Sequence, residues 1–187
     1  MTNKGILFDE QSARCIALTG STPLPYHTMM DILQQQDCDL TLADGLEIYY
    51  GSFPASRSPL KDNASSGNLL RNHDCTHVIF GLDTSIEQEA LLDIWVLFGC
   101  HFRFASLIAY AKLPQLKGLY RELFDVYGIW GILRIYRKNF HRIRAVFKKA
   151  RNMQKKWALE CPEHYLNRSI QDLRQEYGIN ILHNDEH

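Results

Sequence analysis

Apolar and polar positions are ordered most clearly in the middle of the chain. Residues 69–80 set apolar side chains beside His73 and His77, and Gly81-Leu82-Asp83 follows as a helix stop. Thr84-Ser85-Ile86-Glu87 then fits a capping box, in which the Thr hydroxyl accepts from a backbone N–H while Glu87 reaches back, so a second helix is expected through Trp95 and Phe98. Upstream, Pro23 and Pro25 close an early segment, and a helix is expected over 27–36. Residues 51–68 collect serines, prolines and glycines and read as a flexible loop. Downstream, a helix is expected from about Leu116 into a basic region, weakened at Gly128 and Gly131. Cys161-Pro162 breaks the chain, and Ser169-Ile170-Gln171-Asp172 caps a short helix that stops at Gly178. The predicted fold is mostly α, a single-domain helical bundle over residues 1–187.

Size supports one domain: 187 residues with 45% hydrophobic content are enough for one real core and short for two. The 21 basic and 21 acidic side chains cancel, so no global field draws the chain to nucleic acid. Cys15, Cys38, Cys75, Cys100 and Cys161 are odd in number and scattered, which suits free thiols in a reducing compartment. The first ten residues lack a signal-peptide pattern. Residues 91–113 are the most hydrophobic stretch, but Asp93, His101, Arg103 and Lys112 interrupt it, so it fails as a spanning helix.

The candidate chemistry lies at the helix stop. His73, Asp74 and His77 occupy i, i+1 and i+4, so at ~100° per residue they share roughly a 100° arc of one helix. Glu89, twelve residues past His77, would be about 18 Å away on an unbroken helix, whereas ligands of one ion lie ~2 Å from it. A reversal about Asp83 removes the conflict, because His77 and Glu89 are each six residues from it. The same symmetry sets Asp93 opposite His73, where it is expected to support the ligands. Two imidazoles and two carboxylates suit zinc, manganese or ferrous iron, with zinc the first expectation. H-D-x-x-H by itself is more often surface or core polar groups; the turn and Glu89 tip the balance toward a metal site. A zincin-type hydrolase would need Glu rather than Asp74 after the first His, and there is no Gly-rich phosphate loop.

His73-Asp74-Cys75-Thr76-His77 with Glu89 resembles, position for position, the hallmark of the Coq-four family of ubiquinone (coenzyme Q) biosynthesis proteins. Val78-Ile79-Phe80-Gly81 is similar to the family's apolar run ending in Gly, and Leu173-Arg174-Gln175-Glu176-Tyr177-Gly178-Ile179 is similar to its closing helix. Gln88 stands where the family places Gly, and Phe98-Gly99-Cys100-His101-Phe102 replaces its usual continuation, as in a divergent member. The resemblance implies a helical protein with the metal ligands on a helical hairpin and an apolar lipid tunnel beside them. The implied activity is on polyprenylated benzoquinone precursors, with C1 oxidative decarboxylation as a lyase-type reaction. A non-catalytic prenyl-lipid-binding scaffold for the other ubiquinone-biosynthesis proteins is the alternative. On this view residues 91–113 line the tail pocket, although composition alone favours plain helical core.

Between Arg134 and Lys156 stand ten Lys or Arg residues and no acid, interleaved with apolar residues. A basic amphipathic helix over 134–157 is expected, with Arg134, Arg137, Lys138, Arg142, Lys148 and Lys149 toward an anionic membrane surface. A solvated helix face reads equally well from charge alone. With the resemblance, the expected location is cytoplasmic, peripheral on the inner face of the membrane, without nucleic acid, and compatible with an oligomer.

Overall fold

The computed structural model describes residues 26–53, 64–102, 108 and 114–182. The chain is mostly helical. The readings made for Pro23, Pro25 and Cys15, and for most of 103–113, lie outside the described residues.

Helix α1 (Tyr26–Leu33) is shorter than the expected 27–36. Helix α2 (Leu42–Ser52) starts at Thr41, whose hydroxyl accepts from the Asp44 N–H at 3.1 Å, and it buries Leu42, Leu46, Ile48 and Tyr49. Helix α3 (Ala64–Phe80) begins earlier than the expected loop end, and Gly51 and Ser52 complete α2. Residues 64–68 join the helix because a lone Gly67 costs only about 1 kcal/mol there and no proline intervenes after Pro59. Residues 54–63 of that expected loop lie outside the described residues.

The chain turns after Phe80 on Gly81, at φ +67, where a Cβ would come within 3.0 Å of the Leu33 carbonyl oxygen. Helix α4 (Ile86–Gly99) follows, but its cap is Ser85 rather than Thr84, and the Ser85 side chain makes no cap bond. The expected capping box is therefore not formed. Asp83 takes its place, accepting from the Ser85 N–H at 2.8 Å and closing the turn locally.

Helix α5 (Pro114–Lys138) is kinked at Gly128, whose φ of 59° and ψ of 174° leave the helical region. The basic stretch is not one helix. Asn139, whose side-chain amide donates to the Ile135 carbonyl at 3.0 Å, separates α5 from helix α6 (Phe140–Arg151). After α6 the chain leaves the helix, and strand β2 (Trp157–Ala158) pairs in parallel with β1 (Cys100–His101). Helix α7 (Ile170–Tyr177) runs as expected from a Ser169 cap to Gly178 at φ +67. Cys38, Cys75, Cys100 and Cys161 are free and buried. The core gathers Leu33, Leu42, Ile79, Leu91, Trp95 and Leu173 from five helices, with Phe80 stacked on Trp95 at 4.6 Å.

One buried side chain ties the pieces together. Arg174 on α7 has no exposed surface. Its guanidinium donates to the carbonyls of Ile79 at 2.9 Å, Val78 at 3.1 Å, Leu33 at 2.7 Å and also Gln35. The Leu33, Val78 and Ile79 carbonyls lie at the ends of α1 and α3, and Gln35 two residues past α1; Val78 also accepts from the Gly81 N–H at 3.3 Å. Burial lowers the Arg174 pKa to about 10, so the charge persists at neutral pH. Arg174→Met removes the donors from the buried Leu33 and Ile79 carbonyls and is expected to cost about 3 kcal/mol or more, read as a fall in the urea midpoint. Arg174→Lys recovers only part, because an ammonium lacks the planar fork. A loss below about 1 kcal/mol in Arg174→Met would show that the ends are satisfied otherwise.

Candidate metal centre

From Asp74 to Gly81 every residue of α3 and its turn is buried, so each polar side chain in that run must find a partner inside the protein. Thr76 donates to the His73 carbonyl at 2.5 Å. His77 Nδ1 lies 3.3 Å from the Leu82 carbonyl, which can only accept, so Nδ1 carries the proton. The His77 ring also stacks on Tyr49, centroids 5.2 Å apart. Both contacts hold the ring with Nε2 presented as a lone pair.

That lone pair faces two others. His73 Nε2 is 3.2 Å from His77 Nε2, and Glu89 on α4 places Oε1 3.2 Å from His77 Nε2 and Oε2 3.9 Å from His73 Nε2. Neighbouring ligands about 2.0–2.1 Å from a tetrahedral ion stand roughly 3.3–3.4 Å apart, so the spacing matches a bound cation. Without a proton or cation between them, acceptors this close repel. His73, His77 and Glu89 thus form a group that could hold a metal ion.

The electrostatics favour the metal-ready protonation states. Burial, then the neighbouring His77, pushes the His73 pKa down to about 4, against the pull of Glu89. His73 is neutral at pH 7 and free to donate its lone pair. Burial raises the Glu89 pKa, but the hydrogen bond and positive charge that His77, and then His73, offer when protonated outweigh it and hold the carboxylate below its usual range.

Asp74, expected as a fourth ligand, does not join the three. Its carboxylate accepts from the Tyr50 hydroxyl at 3.1 Å, on the side toward α2. Asp74 sits ~60° around the helix from His77 on the side away from His73, and its short side chain does not bridge that arc. Burial pushes its pKa up to about 7, against His77 and the Tyr50 hydrogen bond. Asp93, expected opposite His73, is exposed and accepts from the Tyr136 hydroxyl of α5 at 3.2 Å. Gln88 is buried next to Glu89.

The basic residues divide. Arg134, Arg137, Lys138 and Lys148 are exposed, Arg142 is half-buried, and Lys149 donates to the Ile181 carbonyl at 3.2 Å. Tyr49, Tyr50 and the Leu82 carbonyl were missed in the sequence reading; the only signal was Thr41-x-x-Asp44, which marks the start of the helix that carries both tyrosines.

No family model matches the chain, and neither the curated proteins nor the solved structures searched include a match.

The two displaced pKa values act oppositely on stability. His73 is depressed, so the unfolded chain binds more protons and metal-free protein loses stability as pH falls from 6.5 toward about 4. Asp74 is raised, so its contribution is present at low pH and is lost as pH rises from 3.8 through about 7. Asp74→Asn removes only the second effect. In urea titrations with chelator, the variant is expected to gain on wild type between pH 4 and 7, by at most about 1.4 kcal/mol per pH unit. Parallel curves would mean that Asp74 is already ionised.

Proposed function

We propose that this chain is a metal-dependent protein of ubiquinone biosynthesis, a divergent member of the Coq-four family. It binds zinc through His73, His77 and Glu89 and acts on, or presents, polyprenylated benzoquinone precursors. The reaction class is C1 oxidative decarboxylation, and the site of action is the inner face of the cytoplasmic membrane, beside other enzymes of the pathway. No described helix is long and apolar enough to cross a membrane, in keeping with peripheral attachment.

The observation that carries this reading is the convergence of three donor atoms from the H-D-x-x-H…Glu pattern within 4.8 Å of one another. A bound zinc supplies Lewis-acid polarisation of a head-group oxygen. The chain's own residues do the rest. Leu82 fixes the His77 tautomer, His73 stays unprotonated, and Glu89 brings a negative charge that offsets part of the cation's. Asp74, with Tyr50, holds a proton beside the ligands near neutral pH. Leu91, Leu92 and Trp95 are already packed in the core, so a prenyl tail would follow the outward side of α4, where Leu97 and Phe98 are exposed.

The test is metal analysis together with turnover. Purified protein is expected to carry about one zinc per chain, with affinity falling at least tenfold in His77→Ala or Glu89→Ala while far-UV dichroism is unchanged. Conversion of a polyprenyl-hydroxybenzoate analogue is expected to vanish in His77→Ala. Lipid that co-purifies without turnover would move the protein to the scaffold class, and failure to take up any divalent metal would end the reading.

A further inference from the structure

The strongest unexplained surface is the far end of α5. Trp130 is 80% exposed, and Ile129 and Leu133 beside it are more than half exposed. Three such side chains held in water on one helix mark a contact surface rather than scattered exceptions. At ~100° per residue, Ile129, Trp130, Leu133, Arg134, Arg137 and Lys138 fall within one 180° arc. All six are exposed, while Gly131, Ile132, Ile135 and Tyr136 on the opposite side are partly buried. The arc is graded along the axis: the apolar residues come first and the cations follow. From Trp130 to Arg137 the rise is about 10 Å at ~1.5 Å per residue. With the axis inclined to a bilayer, that separation sets the apolar end deeper than the cations.

We infer that this arc of α5 docks into an anionic lipid bilayer, with Ile129, Trp130 and Leu133 inserted below the headgroups and Arg134, Arg137 and Lys138 at their level. Charge selects this occupant. No acidic residue stands between Asp125 and Glu160, so from Val126 onward the charged side chains of α5 itself are all cations, with the exposed Asp125 one turn before Ile129. A second copy of the chain meeting the same arc would offer Arg134, Arg137 and Lys138 no acidic partner, because the arc carries none. Anionic headgroups answer those cations, and the acyl region answers the indole. The start of α6 continues the pattern. Phe140, Arg144, Lys148 and Arg151 are exposed within one ~80° arc, so an apolar residue again precedes cations.

Docking deepens the peripheral-membrane part of the proposed function and does not depend on the metal. Trp95 and Trp157 are fully buried, which makes Trp130 the exposed reporter among the three tryptophans. Full-length protein, with and without zinc, is mixed with phosphatidylcholine vesicles alone or with added phosphatidylglycerol. The expected result is cosedimentation with the anionic vesicles only, weakened by salt, with a blue shift of tryptophan emission and quenching by brominated acyl chains. Arg134→Glu with Arg137→Glu is expected to lower vesicle affinity by at least about tenfold, since each basic residue near an anionic surface contributes roughly fivefold. Ile129→Ser with Leu133→Ser, folded by far-UV dichroism, is expected to abolish the quenching.

Equal pelleting with both vesicle types, or no quenching, would overturn the inference. So would a concentration-dependent dimer lost in Ile129→Ser with Leu133→Ser, or RNA binding that displaces the vesicles. Vesicle binding by a protein that takes up no metal leaves this inference standing and removes only the metal-dependent reading; metal uptake without vesicle binding does the reverse.

Discussion

The dehydrated guanidinium of Arg174 is the constraint on which the rest of the structure depends. Helix C-termini concentrate partial negative charge on carbonyls without partners, and here the ends of α1 and α3 are both turned into the interior. One side chain with a planar fork of donors serves the buried Leu33, Val78 and Ile79 carbonyls and reaches Gln35 at the edge as well. An isolated buried cation is costly, and several buried carbonyls without donors are costly as well; joined, each removes the other's penalty. The short final helix is thereby locked to elements about a hundred residues earlier, including the one that carries both histidines.

The candidate metal group inherits its geometry from that lock. Val78 and Ile79 directly follow His77, and Gly81 packs against the Leu33 carbonyl that Arg174 also holds. A left-handed Gly81 lets the backbone pass that carbonyl where a Cβ would crowd it, and the chain turns at once into α4. Leu82 then lies where its carbonyl meets His77 Nδ1, and Glu89 comes back over the two imidazoles. The same turn therefore directs His77 and delivers the third ligand. Because α3 is buried all round from Asp74 onward, its polar groups face either this site or Tyr50 and the local backbone, and none is left to water.

The legible parts were those decided by short-range chemistry. A histidine pair at i, i+4, a glycine that must adopt positive φ, and a carboxylate equally spaced across the turn are all local signals, and the structure brings His73, His77 and Glu89 together as the spacing required. The final helix was equally plain, since Ser169 and Gly178 mark its ends. What failed needed tertiary information. Asp74 has the right residue type in the right arc, but a tyrosine on α2 competes for it, and α2 itself lacks a strong amphipathic pattern because Leu42, Leu46, Ile48 and Tyr49 are buried alongside Gly45. The basic run reads as one helix because charge carries no break signal; the break falls at Asn139, whose φ of -93° and ψ of 12° leave the helical region and whose amide bonds the Ile135 carbonyl. Arg174 was visible as a motif letter, yet nothing local announces that its partners are Val78, Ile79, Leu33 and Gln35.

Asp93 links the two functional surfaces. It lies one turn beyond Glu89 on α4, about 6 Å along the axis, and accepts from Tyr136, which sits on α5 between Arg134 and Lys138. The helix that carries a candidate ligand and the helix that carries the exposed arc are therefore neighbours joined by a hydrogen bond. A prenylated substrate has the same division as that arc, an apolar chain ending in a polar ring. If the bilayer holds α5 with its cations at headgroup level, the ring of such a lipid lies at the depth of Tyr136 while its tail stays in the acyl region. Extraction into water, which would cost about 0.8 kcal/mol for each exposed CH2 of the tail, is then unnecessary. Placing the candidate metal group within two helices of the arc proposed to face the membrane would thus match the physical requirement of a site whose ligand does not leave the lipid.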